Sequence, residues 1–108
     1  MKIPLARIAH TRSGDKGDKA NVGVMAWKED HYPILVREVT AGRVKTYFGD
    51  LVSGPVLRHE LPNLAALNFE LFDALDGGGT ISLRIDAQGK TFGAMLLDME
   101  IEVEPDEL

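Results

Sequence analysis

Thr11-Arg12-Ser13-Gly14-Asp15-Lys16-Gly17-Asp18-Lys19-Ala20-Asn21 runs directly into Val22-Gly23-Val24-Met25-Ala26-Trp27. The second segment has the period of a strand: Val22, Val24 and Ala26 share one face, and Asn21, Gly23, Met25 and Trp27 the other. The first segment combines glycines, carboxylates, lysines and an arginine, and reads as a polar loop between strands. Its glycines open backbone conformations that a side chain forbids, so the loop is expected to bring main-chain N–H groups close to a bound group. Gly23, in mid-strand, predicts a bulge or the close approach of another backbone.

Outward from this segment, Pro4 to His10 reads as the preceding strand. Tyr32 to Val39 mixes β-branched residues with an early proline and is read as a short helix. Thr40 is a suitable N-cap for a clearer helix, in which Val44, Tyr47, Phe48 and Leu51 form one stripe and Gly49 can end it. Val56 to Leu61 is a strand that sets Leu57, His59 and Leu61 on one face, which makes His59 a hydrogen-bonded core residue. Leu64, Leu67, Leu71 and Leu75 have helical spacing, with Asn63 as cap. Gly77 to Gly79 is irregular, and Thr80 to Asp86 alternates as a strand. From Thr91 a helix competes with a hairpin strand over Thr91–Leu97. A last strand begins near Met99, and Glu104 to Leu108 is a frayed tail.

Strands and helices in mixed order predict an α+β fold: a mostly antiparallel sheet with helices on one face. The 108 residues suit one domain, 1–108, with one core. Met25, Trp27, Phe92 and Met95 are candidates for a subunit interface, so a homo-oligomer is expected.

Composition excludes several classes. A formal net charge of −5, with the acids gathered from Asp98 onward, argues against nucleic-acid binding. The absence of cysteine rules out thiol catalysis and thiolate metal sites, and fits a cytoplasmic location. The N-terminus has no signal-peptide pattern, and no apolar run reaches membrane-spanning length, so no membrane partner is expected.

Four blocks carry a resemblance: Arg12-Ser13-Gly14-Asp15-Lys16-Gly17-Asp18; Glu60-Leu61-Pro62-Asn63-Leu64-Ala65-Ala66-Leu67-Asn68-Phe69; Ala74-Leu75-Asp76-Gly77-Gly78-Gly79; and Ser82-Leu83-Arg84-Ile85-Asp86-Ala87-Gln88-Gly89-Lys90. In this order they resemble the small C-terminal domain of the AtuA-like proteins of acyclic terpene utilisation. The resemblance implies a ferredoxin-like two-layer sandwich, which is a shape and not an iron–sulfur cluster. It also implies a bacterial setting near the catabolism of isoprenoid or branched acyl-CoA compounds. A further implication is a partner, the larger AtuA-like domain on a separate chain. It supplies no catalytic residues.

The residues themselves offer three chemistries. Main-chain N–H groups near Gly14 and Gly17, helped by Arg12, Lys16 and Lys19, would form an anion cradle, although no Walker or dinucleotide motif is present. Asp15 and Asp18 would serve as an acid–base pair, with the adjacent lysines disfavouring a metal. His10, beside the polar segment, is a candidate general base. Ser13, Asn21, Asn63 and Asn68 join Arg12, Gly14, Lys16 and Gly17 as candidate ligand contacts. The three histidines are widely spaced; no metal and no cofactor is expected. The readings are therefore an accessory module binding a partner or a small acyl or anionic ligand, a small acyl-CoA-directed isomerase, hydratase or hydrolase, and a structural oligomerisation domain.

Overall fold

Most of the polar run at Thr11 is strand. The computed structural model describes residues 1–16, 19–74 and 91–108, at 15 and 16 by backbone alone. Within them β2 (Ala9–Lys16) pairs antiparallel with β3 (Lys19–Ala26), and the ladder continues to Lys16 opposite Lys19. The expected loop over Thr11–Asn21 is thus corrected for its described part. β2 stands at the end of the described four-stranded order, so it needs no continuous apolar face, and pairing with β3 sets its register. The first strand expected over Pro4–His10 also divides. β1 (Lys2–Pro4) is followed by a 3₁₀ turn at Leu5–Arg7, and β2 begins at Ala9.

The chain continues through α1 (Tyr32–Glu38) and α2 (Ala41–Phe48) to β4 (Val56–Leu61) and β5 (Ala66–Leu71). Thr40 caps α2 as expected, its hydroxyl accepting from the Arg43 amide at 3.2 Å. The helix expected from Leu64 is replaced by a 3₁₀ turn at Pro62–Leu64 and then β5. Leu67, Phe69 and Leu71 also alternate, and backbone pairing with β3 on one side and β4 on the other selects that period over the helical one. Asn63 therefore caps no helix there; it is exposed in the turn. The expectations for Gly77–Gly79 and Thr80–Asp86 lie outside the described residues. α3 (Phe92–Leu96) confirms the helix after Thr91, whose hydroxyl accepts from the Ala94 amide, and β6 (Glu100–Glu102) pairs with β1.

The four-stranded sheet has the order β2-β3-β5-β4, all antiparallel. α1 packs on β3 and β5, α2 on β4, and α3 on β2 and β3. Ala20, Val22, Val24, Leu67, Phe69 and Leu71 fill the helix side with Leu35, Val39, Val44 and Leu96. Full burial of a side chain such as Phe69 or Leu67 contributes roughly 1.5–3 kcal/mol. Phe92 belongs to this core, edge-on to Phe48 at 5.2 Å, and not to the subunit interface expected from its sequence. Arg58, on the helix side of β4, donates to the carbonyls of Val36 and Val39 at the end of α1. The acidic C-terminus is also anchored. Pro105–Glu107 forms a 3₁₀ turn with a capping box, and Glu107 takes two hydrogen bonds from the Arg37 guanidinium. This is the α+β, ferredoxin-like two-layer sandwich, with helices on one face of an antiparallel sheet.

Candidate functional site

The alternation that buries Val22, Val24, Phe69 and Leu71 turns their neighbours onto the opposite face, on which none of the described helices packs. The register places His10, Met25, Ala66 and Leu61 in one row across the four strands. The next row is Arg12, Gly23, Asn68 and His59, and the one after it Gly14, Asn21, Glu70 and Leu57. An apolar row and a polar row therefore lie side by side.

Gly23 makes a gap in the polar row. Its ladder is regular, with neither the bulge nor the close backbone approach expected at that position. Among the described residues a β-carbon placed there would meet only the Arg12 carbonyl oxygen, at 3.9 Å. Strands lie about 4.8 Å apart, so Arg12 and Asn68 flank a slot roughly 10 Å across. The slot joins a hollow of about 370 Å³ whose wall includes His10, Met25, Leu61, Leu64, Ala66 and Asn68. Leu64 is 69% exposed at its rim. Among the described residues Arg12 has no ion-pair partner.

The far side of the polar row is organised by Glu70. Lys19 Nζ donates to its Oε1 at 3.0 Å, and His59 Nε2 lies 2.7 Å from its Oε2. Facing a carboxylate, Nε2 carries the proton and donates. The His59 hydrogen bond, then that of Lys19, holds the Glu70 carboxyl below its usual range. His59 has a side chain 50% exposed on the open face, so its expected place in the core is corrected. Leu57 and Leu61, which made that side of β4 look buried, are exposed too. Their sequence pattern is the same in either case, and among the described residues no layer covers them.

The residues singled out from sequence separate into groups. His10, Arg12, Gly14, Asn21 and Asn68 come together on the open face. Ser13 does not: its hydroxyl accepts from the Gly93 amide at 2.6 Å, beneath α3. Asn63 stands in the exposed turn before β5. Gly14 is extended in the ladder opposite Asn21, so the nest of amides expected around it is not formed. Gly17, Asp18 and the side chains of Asp15 and Lys16 lie outside what is described. His10 stacks on Trp27, ring centroids 4.0 Å apart, and among the described residues no acid orients it. The sequence reading missed Lys19, His59 and Glu70 as a group, because three strands must align before they meet.

Among the described residues no three His, Asp or Glu side chains converge as metal ligands. Nor is any helix among them long and apolar enough to cross a membrane. The arrangement can hold an anionic or polar group over Gly23 and an apolar body in the adjoining hollow.

No curated protein and no solved structure matches the chain. The family model of the AtuA ferredoxin-like domain matches residues 3–102. With nearly the whole sequence inside that match and the sheet-and-helix layers it implies in place, the chain belongs to the AtuA ferredoxin-like domain family.

Proposed function

We propose that the chain is an accessory ligand-binding module and that the sheet face opposite the described helices takes a small acyl carboxylate. The observation that carries this is the Gly23 slot, bounded by Asn68 and by Arg12, which has no ion-pair partner among the described residues, and opening into an apolar hollow. Arg12 would fork the carboxylate, Asn68 would donate from its amide, and Met25, Leu61 and Leu64 would cover the chain. Family membership supports an AtuA-type setting, and isoprenoid or branched acyl compounds are the ligand class proposed for it.

The test is an NMR titration of the amide spectrum with octanoate, with 3,7-dimethyloctanoate and with the uncharged octanol. Saturable shifts at Gly23, Asn68 and Met25 with the acids, weak or absent with octanol and weakened in Arg12→Gln, support the reading. Shifts elsewhere, or equal shifts with octanol, overturn it. Light scattering on the same sample tests the oligomeric alternative. A stable dimer whose open face is closed to octanoate would make Leu57, Leu61 and Leu64 an interface between copies.

A second reading follows from the His59–Glu70 pair. A carboxylate that orients an imidazole beside an open slot is the arrangement of a general base, which supports a small enzyme acting on the bound acyl group. Turnover of an acyl-CoA panel that disappears in His59→Gln, while octanoate binding persists, selects that reading. Unchanged turnover in the variant removes it.

A further inference from the structure

Beyond the end of β3 the chain leaves an indole in water. Trp27 is 66% exposed, its amide donates to the Ile8 carbonyl at 3.0 Å, and its ring stacks on His10 with an interplanar angle of 30°. An exposed indole held in place by a second ring is a ready stacking surface. Beside it lies a notch of about 220 Å³, lined by Arg7, Ile8, Trp27, Lys28, His31 and Leu108. His10 lines the neighbouring hollow, so the stacked pair forms the ridge between the two.

Two cationic side chains, Arg7 and Lys28, line the notch, against one anionic group, the main-chain carboxylate of Leu108. Among the described residues Arg7 and Lys28 have no ion-pair partner, and no acidic side chain is on its wall. Glu29 and Asp30 follow in the adjacent turn, exposed and off the lining. His31 is 8% exposed, and its Nδ1 is sealed from solvent without a partner. A buried lone pair is better tolerated than a buried orphan N–H, which places the ring proton on Nε2 and gives the ring a donor. The notch is smaller than the roughly 300–1,000 Å³ of sites that enclose a whole ligand, so it suits one group of a larger molecule.

We propose that this corner binds the head group of a mononucleotide, with the base stacked on Trp27 and the phosphate held by Arg7 and Lys28. A planar ring joined to a compact anion is the chemistry that an exposed indole beside a guanidinium and an ammonium recognises. The residues used are separate from Arg12, Gly23 and Asn68, so the proposal stands or falls independently of the acyl site.

Trp27 is the only tryptophan in the chain, so its fluorescence reads this site alone. AMP should quench it saturably, and more strongly than adenosine or inorganic phosphate at equal concentration. Arg7→Gln and Lys28→Gln should each weaken AMP about tenfold, the scale of one charge-assisted hydrogen bond, while leaving adenosine unchanged. Added salt should weaken AMP and not adenosine. Gly23→Leu should bind AMP as the wild type does. Adenosine binding as tightly as AMP, no loss in either cation variant, loss of AMP in Gly23→Leu, or no saturable quench would each overturn the proposal. Failure of octanoate with AMP binding intact would remove the acyl site and leave this one standing.

Discussion

Replacing Gly23 should raise stability and abolish acyl binding together. A glycine inside a strand is less favourable than alanine by about 0.5–1 kcal/mol, because it loses more backbone freedom on folding. At Gly23 no described residue crowds the added group: the nearest such atom to a new β-carbon is the Arg12 carbonyl oxygen at 3.9 Å. Gly23→Ala should therefore stabilise by about 0.5–1 kcal/mol, which for a domain of this size raises Tm by roughly 2–5 °C. Gly23→Leu should keep much of that gain while its methyls occupy the slot between Arg12 and Asn68. Octanoate affinity should then fall at least about tenfold, or 1.4 kcal/mol. The assays are thermal denaturation followed by circular dichroism, and the octanoate titration on both variants. A fall in Tm for Gly23→Ala would show that the space is not open. Wild-type octanoate affinity in Gly23→Leu would show that the slot is not the site, and the reasoning would fail.

Gly93 is the opposite case. A β-carbon there would stand 2.5 Å from Ser13 Oγ and 2.9 Å from Thr11 Oγ1, so Gly93→Ala should destabilise by about 1–3 kcal/mol, with partial recovery in the double variant with Ser13→Ala, read by urea denaturation. Thr91→Ala removes the cap of α3 and should cost about 1 kcal/mol in the same assay. The Arg37 guanidinium, with the Glu104 amide, holds the Glu107 carboxyl at about 2, against an ordinary 4.5. Its folded value is depressed, so its stabilising contribution is full above pH 4.5 and is lost as pH falls toward 2; Glu107→Gln should flatten stability against pH in that window. Glu70 is depressed by His59 first and then by Lys19, so His59→Gln should move the Glu70 carboxyl up toward its ordinary range in a carbon-detected NMR titration. An unchanged Glu70 titration would show that the pair is not formed in solution.

The helices were legible because their signals are local. Thr40 and Thr91 cap the helices that follow them, and Val44 with Phe48 spans one turn; each relation is settled within four residues. Strand β3 was legible for a similar reason, since Val22 and Val24 alternate without a competing period. The family was legible from its blocks, which recur in order over the stretch the family model matches. Period alone was insufficient for Leu64 to Leu71, where Leu67 and Leu71, four residues apart, fit both the helical and the strand spacing. The ladder to β3, made with residues far away in sequence, and the hairpin with β4 decided between them.

The α+β class, the Thr40 cap of α2, the shared face of Val22 and Val24 and the chemical character of Arg12 and Asn68 were all readable from the residues alone. It took the folded arrangement to show that the polar run to Lys16 is a paired strand, that His59 meets Glu70 in the open, and that Gly23 is a gap between side chains. The physical reason is that periodicity fixes which residues share a side of a strand. Whether a layer covers that side, and which residues stand beside one another across it, depends on contacts between segments that the chain brings together only on folding.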